Sequence, residues 1–451
     1  MGFFEKFLGS RESLRGQLVR GGTGVVLVQV FGMCLGLLLS VVLARTLGVK
    51  NYGIYAYAMS LSSVLLIFAD AGMPTLLIRE VARMEARRKW SLLRGLLTRA
   101  LQINIVASFL IVMFAAGWLW LHCYDDEATV RFKTILVAIL AIPVSSLVRS
   151  LTGVLAGLRQ VVLAKALEQL ARPLVVLVLL AAVFMLFPGW RLPHVAVEVQ
   201  LTAQMLILGV SLFLLLQSLN SRIVEHKPSF QTRAWLAASF SFALMNCAGM
   251  LNSQVDILFL GMLNTPRDVG LYRVAVQGAG LVAFGLNAVN AVVAPQFARL
   301  YSQNDMVRLQ RLVTGSARFI LVAALLVAAV FIFAGNFLLC HVFGNEYAAG
   351  YFPLVILASG QVVNAGLGSV GFLLNMTGHE RDVVKTMGIT AIFNLIANFF
   401  FIQIWGTVGA ATATALSTIF WNIILHILVR RRIGINSMAF ALIKDDKENC
   451  V

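Results

Sequence analysis

Twelve long apolar stretches, separated by short polar segments, account for most of this chain. A helix needs about 20 mostly apolar residues to cross a hydrocarbon core of roughly 30 Å, and each stretch is long enough. The pattern predicts an all-α polytopic membrane protein. The predicted spans are residues 22–43, 53–78, 96–121, 134–158, 161–187, 196–217, 235–261, 270–294, 317–340, 352–376, 385–404 and 408–429.

Lysines and arginines fall almost entirely in every second gap between these spans. The N-terminal tail, the even-numbered loops and the C-terminal tail hold 27 of the 36 basic residues. The odd-numbered loops and the span ends beside them hold 7, and 2 lie inside spans. Because cytoplasmic loops carry the excess of positive charge, both termini are predicted to be cytoplasmic. The densest cluster, Arg79 to Arg99, is then expected to face anionic headgroups.

Composition and missing motifs exclude several other classes of protein. With 59% hydrophobic and 12% charged residues, this is not a soluble globular chain. The net charge of +16 is spread over short loops, so no concentrated basic face predicts nucleic-acid binding. The dipeptide Gly-Lys is absent, which excludes a P-loop, and neither a zinc-peptidase motif nor a Gly-x-Ser-x-Gly elbow occurs. The five cysteines lack metal-binding spacing. We therefore predict no enzyme activity, cofactor or metal.

The chain reads as two similar halves. Gly53-Ile54-Tyr55 and Gly270-Leu271-Tyr272 open the second and eighth spans, 217 residues apart, and weaker echoes follow spans three and four. Six spans per half is an even number, so both halves enter the membrane from the same side and form a parallel repeat. The predicted lobes are residues 1–220 and 221–451. Transporters built in this way commonly hold their substrate between the halves.

Several short motifs resemble one transporter family along essentially the whole chain. They are Leu43–Tyr55, Asp70–Gly72, Gln254–Asp256, Val269–Ala275, Thr377–Glu380 and Gly406–Ala411. Together they resemble the polysaccharide-transporter branch of the multidrug/oligosaccharidyl-lipid/polysaccharide exporters.

The resemblance implies a Wzx-type alternating-access flippase. Such a protein moves undecaprenyl-diphosphate-linked oligosaccharide from the cytoplasmic to the periplasmic leaflet of the bacterial inner membrane. It serves surface polysaccharide synthesis, such as that of the lipopolysaccharide O-antigen, with polymerase or assembly proteins as possible partners. A drug or cation antiporter of the same superfamily and a non-transport membrane scaffold are the alternatives.

Arginines inside or beside the spans are the candidate headgroup ligands. A charge near the bilayer centre costs roughly 2.5–3.5 kcal/mol on insertion scales, so it needs a partner or a polar cavity. A diphosphate suits arginine, which is always charged and donates paired hydrogen bonds. The candidates are Arg149, Arg172, Arg45 and Arg273, with Arg149 first because it lies about 15 Å from Arg159 along the helix. The alternative for Arg45 and Arg273 is interfacial snorkelling.

Three carboxylates are the candidates for coupling to H⁺ or Na⁺. They are Asp70, Glu168 and Asp256, of which Asp70 ranks first because its surroundings are apolar. Glu168 and Arg172 lie four residues apart, which allows a neutralising ion pair on one helix face. Asp256 has the alternative of serving as a cap or as a partner for Arg273. Two Gly-x-x-x-Gly sequences, at Gly32 and Gly153, predict close helix packing rather than ligand binding.

Overall fold

A computed structural model describes residues 14–122, 128–219 and 226–441, and the regular elements in these ranges are all helices. The first part contains α1 (Leu14–Asp70), α2 (Met73–Ala86), α3 (Trp90–His122), α4 (Ala128–Leu140), α5 (Ile142–Gly157), α6 (Val161–Ala166), a π-helical turn (Leu167–Ala171), α7 (Arg172–Leu186), a 3₁₀ turn (Pro188–Trp190) and α8 (Pro193–Ser218). The second contains α9 (Thr232–Leu263), α10 (Pro266–Ser302), α11 (Met306–Leu338), a π-helical turn (Leu339–Phe343), a 3₁₀ turn (Asn345–Gly350), α12 (Tyr351–Leu367), α13 (Val370–Met376) and α14 (Glu380–Arg432).

Within the described residues, ten helical segments are long and apolar enough to cross a membrane. Two of them are twice the usual length, and each bends at a glycine with positive φ: Gly48 (φ 73°) in α1 and Gly406 (φ 55°) in α14. Each arm on either side of these bends exceeds about 20 residues, enough for one crossing. Counting the arms separately gives the twelve predicted spans. The prediction of an all-α membrane protein is confirmed.

The second bend is tight, and the sequence explains why. A Cβ atom at Gly409 would overlap the Phe401 carbonyl on the preceding arm. The two glycines of the Gly406–Ala411 motif therefore have structural roles. Gly406 adopts the positive φ, and Gly409 leaves space for the reversing backbone.

The parallel repeat is visible in the positions where the helices end. Arg88 (φ 53°) ends α2 and Asn304 (φ 57°) ends α10, 216 residues apart. Arg159 (φ 65°) and Gly378 (φ 82°) follow α5 and α13, 219 residues apart. All four left-handed residues are followed by an amide that bonds a carbonyl five residues back, such as His379 N to Leu374 O at 2.9 Å. This is the Schellman hydrogen bond, and its recurrence at a nearly constant offset supports duplication.

The chain divides into two compact units, residues 1–250 and 251–451. The division falls inside α9, between Met250 and Leu251. The seam predicted at 220/221 lies about thirty residues earlier, and residues 220–225 are outside the described part of the chain. The start of α9 packs in the first unit, where the Ser239 hydroxyl donates to the Ala71 carbonyl. The repeat boundary at 220/221 remains a prediction.

Small residues bring helices of the first unit together. A Cβ atom at Gly153 would lie 2.9 Å from the Pro74 carbonyl oxygen, and one at Gly157 would lie 2.8 Å from Val81. A Cβ atom at Gly32 would lie 2.9 Å from the Gln169 backbone, whereas Gly36 faces open space. The packing role predicted for the two Gly-x-x-x-Gly sequences therefore holds at three of the four glycines.

In the second unit, the segment after α14 folds back onto the helices. Residues 433–441 alternate between buried and less buried positions, and Ser437 is completely buried. Gln310 on α11 exchanges two hydrogen bonds with the backbone of Asn436, at 2.7 and 2.9 Å. Arg318, also on α11, donates to the carbonyls of Ala439 and Ala441 at 2.9 and 3.1 Å. We call residues 433–441 the C-terminal strap.

Candidate functional site

A cavity of about 290 Å³ lies among the helices of the first unit. The second arm of α1, helices α4, α5 and α8, and the π-helical turn that continues into α7 form its wall. Its polar lining side chains are Ser62, Ser63, Ser145, Arg149, Glu168, Gln169, Arg172, Gln200 and Gln204. Such a collection of charges, amides and hydroxyls inside apolar helices requires a polar interior.

Arg149, the first-ranked arginine, projects into this cavity from α5. Its Nη1 lies 2.8 Å from Asp70 Oδ2, and the two side chains are 43% and 6% exposed. A break in the chain places Asp70 there: α1 ends at Asp70, and Ala71 and Gly72 both have positive φ before α2 begins. The sequence predicted both residues as site candidates, but not that they pair. The pair consists of a buried carboxylate and a half-exposed guanidinium, which keeps donors available to the cavity.

Glu168 and Arg172 also reach the cavity, but they do not form the ion pair that their spacing allows. The described residues show no contact ion pair joining these two side chains. The turn Leu167–Ala171 is π-helical, and the Arg172 amide bonds the Leu167 carbonyl, five residues back. Pro173 lacks an N–H and its ring crowds the preceding turn, which accounts for the wider turn at this point. The extra residue changes the side-chain register, so the ordinary i,i+4 geometry is lost.

Glu168 and Arg172 find different partners on neighbouring helices. The Thr152 hydroxyl on α5 donates to Glu168 Oε1. Arg172 Nη2 faces the Gln200 side-chain oxygen on α8 at 3.5 Å. Gln200 in turn donates through Nε2 to the Tyr55 hydroxyl at 2.6 Å, and both residues are buried. One turn further along α8, Gln204 accepts from Ser145 at 2.7 Å.

Sequence reasoning did not single out Gln200, Gln204 or Tyr55 as site residues. The sequence does contain a feature that indicates them: Gln200 and Gln204 lie four residues apart in an apolar span, which places both amides on one helix face. Tyr55 was noted only as part of the repeated motif.

Asp256 belongs to a separate cluster in the second unit. Its Oδ2 accepts from the Tyr272 hydroxyl at 2.6 Å and from Thr414 at 3.4 Å, and its Oδ1 accepts from the Ile257 amide at 2.8 Å. The carboxylate and the tyrosine are both buried. The cluster joins α9, α10 and the second arm of α14, so its evident role is to hold these three helices together. The described residues show no contact ion pair between Arg273 and Asp256, and the partnership between them stays a prediction.

The other two candidate arginines do not line the cavity. Arg45 is exposed near the end of the first arm of α1, and Arg273 is half-buried on α10. Among the described residues, no group of three or more His, Cys, Asp or Glu side chains has the geometry of a metal site.

Comparison with known sequences identifies the family. The family profile described as "Polysaccharide biosynthesis protein" matches residues 18–301, more than half of the chain. The chain belongs to the polysaccharide biosynthesis protein family. It is also 27% identical over 205 residues to the probable low-salt glycan biosynthesis flippase of Haloferax volcanii. That match spans 44% of this chain and 42% of the relative's length.

Several solved structures of membrane transporters share the fold of this family member. The lipid II flippase MurJ aligns with a TM-score of 0.71 at 14% identity, covering 90% of this chain and 87% of MurJ. A multidrug resistance MATE family transporter of the MOP superfamily aligns at 0.67 and 13% identity, covering 88% and 98%. A MOP superfamily transporter from Pyrococcus furiosus aligns at 0.62 and 12% identity, covering 93% and 96%. These likenesses show a shared fold, and the family match confirms the resemblance to polysaccharide transporters seen in the sequence motifs.

Proposed function

We propose that this protein is a flippase for a lipid-linked oligosaccharide. The observation that carries the proposal is the cavity in the first unit, into which two arginines project from apolar helices. Family membership and the flippase relatives support the same reading. A diphosphate headgroup matches the paired N–H donors of arginine, while the serine and glutamine side chains suit sugar hydroxyls. The acyl chain stays in the lipid while the headgroup crosses.

The finer proposal is alternating access to undecaprenyl-diphosphate-linked oligosaccharide in a bacterial inner membrane. The product would enter surface polysaccharide, such as the O-antigen of lipopolysaccharide, and polymerase or assembly proteins would receive it. Because the sequence contains no P-loop, the energy comes from an ion gradient or from the substrate gradient. Arg149 and Arg172 hold the diphosphate. Arg45 and Arg273 then assist at the membrane interfaces, where snorkelling keeps their charges hydrated.

Substitution of Arg149 tests the proposed function. We expect Arg149→Ala to abolish surface polysaccharide in a flippase-null strain, with activity scored against the abundance of the protein in the membrane. Arg149→Lys should rescue only part of the activity, because an ammonium keeps the charge but loses the planar fork.

A matched control separates ligand binding from the stability of the ion pair. Removing Arg149 alone strands the buried Asp70 carboxylate, whereas Arg149→Gln combined with Asp70→Asn removes both charges. The double variant should be as abundant as the wild type and still inactive. Full activity of either Arg149→Ala or the double variant would overturn the diphosphate site and favour the antiporter reading.

A further inference from the structure

The two cavity arginines differ in the charge of the group they contact. Arg149 touches the Asp70 carboxylate at 2.8 Å, so a contact ion pair compensates its charge. The hydrogen-bond contact of Arg172 is the neutral side-chain oxygen of Gln200, at 3.5 Å. Glu168 lines the same cavity, but its hydrogen bond comes from Thr152. Of the two, only Arg149 has a carboxylate in direct contact among the described residues.

Gln200 is held by two contacts, and the guanidinium, which can only donate, decides which end of the amide faces Arg172. Nε2 donates to the Tyr55 hydroxyl at 2.6 Å, so Oε1 is the atom left for the guanidinium. The opposite orientation would place an NH₂ group against the N–H donors of arginine. Gln200 and Tyr55 are both less than 8% exposed, so the amide has little freedom to turn.

In the second unit, the tyrosine at the equivalent place in the repeat has a charged partner, which lies on a different helix of the repeat from Gln200. Tyr55 and Tyr272 occupy equivalent places in the repeated motif, and Tyr272 donates to the Asp256 carboxylate at 2.6 Å. A tyrosine at this position can therefore donate its hydroxyl hydrogen to a carboxylate in this fold. In the first unit, the partner of the tyrosine is the neutral amide of Gln200 on α8, and the same amide faces a cavity arginine.

We propose that Gln200 is a positioning residue whose neutral amide aims Arg172 into the cavity without neutralising it. The inference rests on the proposed function and names the part of that site which attracts the anionic headgroup. An aspartate or glutamate at the same place would form a contact ion pair with Arg172 and compete with a diphosphate for the same N–H donors.

The test is binding of farnesyl diphosphate, a short-chain diphosphate lipid, to the purified protein in lipid nanodiscs. Gln200→Glu is nearly isosteric and should weaken binding by about tenfold or more, because it pairs Arg172 with a carboxylate. Its melting temperature should stay close to that of the wild type, since Tyr55 can donate to the new carboxylate as Tyr272 does to Asp256. Gln200→Leu removes the amide without adding charge and should weaken binding only about threefold.

Each outcome distinguishes the inference from the proposed function. If Arg172→Gln loses binding while Gln200→Glu binds like the wild type, the inference is wrong and the flippase proposal stands. Equal losses for Gln200→Leu and Gln200→Glu would show that neutrality is not the relevant property, and would also overturn it. If the wild-type protein fails to bind the diphosphate, the proposed function fails and the inference falls with it.

Discussion

At the residue scale, each charged side chain within an apolar helix must have its charge compensated by its surroundings. Insertion of such a charge costs several kcal/mol unless a partner or polar surroundings compensate it. Asp70 and Arg149 compensate each other beside the cavity, and Glu168 accepts from Thr152. Asp256 is satisfied by Tyr272, Thr414 and a backbone amide. Carboxylates thus lie beside the cavity in the first unit, whereas the Asp256 carboxylate holds helices together in the second.

This difference separates the three carboxylates proposed for ion coupling. Asp70→Asn and Glu168→Gln should change the pH or sodium response of flipping, because both groups lie at or beside the cavity. Asp256→Asn should instead lower abundance and melting temperature, since it weakens a buried cluster whose bonds to a charged acceptor contribute about 1.5–3 kcal/mol each. The measurement is flipping in proteoliposomes across pH and sodium concentration, with melting temperature recorded for each variant.

Two results would contradict this assignment. Unchanged ion responses in both Asp70→Asn and Glu168→Gln would exclude coupling by these carboxylates. A changed ion response with normal stability in Asp256→Asn would return Asp256 to the list of coupling groups.

The sequence could predict which residues are charged inside the spans, but not how they pair. Counting along a helix gives the depth of a residue in the membrane, so the sequence could place Arg149, Arg172 and Glu168 inside spans. In the structure all three line the cavity. The Asp70–Arg149 pair joins residues 79 positions apart on different helices, which no local spacing shows. The π-helical turn at Leu167–Ala171 defeated the i,i+4 argument for Glu168 and Arg172, because one extra residue in a turn is invisible in the hydrophobic pattern.

At the scale of helices and segments, the C-terminal strap is the element that the apolar pattern did not predict. Its residues are too few to span a membrane, and its burial alternates along the chain instead of following a helix. It supplies carbonyl acceptors to Arg318, and its Ala439 amide bonds the Gly366 carbonyl near the end of α12 at 3.0 Å. The strap therefore provides hydrogen-bond partners both for the charged side chain of Arg318 and for a carbonyl at the end of a helix.

Truncation tests the strap directly. A chain ending after Ile433 loses the acceptors of Arg318, and we expect its melting temperature to fall by about 5 °C or more with lower membrane abundance. Arg318→Gln in the truncated chain should recover part of that loss, because it removes an uncompensated charge.

The matched control is a chain ending after Ala441, which retains the whole strap and should behave like the wild type. Equal stability of the two truncated chains would show that the strap contributes nothing measurable to the second unit.

At the scale of the whole molecule, the repeat explains why both units share a pattern of helix ends while only one supplies the candidate site. The equivalent tyrosines, Tyr55 and Tyr272, occur at the same step of the repeat, yet their partners are Gln200 and Asp256. The backbone breaks at Arg88 and Asn304 recur near the repeat offset, whereas the partners of the two tyrosines differ. The spacing of the short motifs was sufficient to predict the repeat, because these motifs lie beside local turns that can be recognised in the sequence.

The bends at Gly48 and Gly406 make membrane topology a test of the whole arrangement. If α1 crosses once, the N-terminus and Arg88 lie on opposite sides of the membrane; if its two arms each cross, they lie on the same side. The distribution of basic residues favours the second case, because the N-terminal tail and the loop holding Arg88 are both strongly positive.

Reporter fusions decide between these cases. Fusions after Arg88 and Arg233 should read cytoplasmic, and fusions after Lys50 and Asn345 should read external. Seven predicted crossings separate Arg88 from Asn345, an odd number, so these two positions must give opposite signals. A cytoplasmic signal after Lys50 would mean that the first arm of α1 does not cross. An external signal after Arg88 would overturn the orientation of the entire chain, since that loop carries the strongest positive charge.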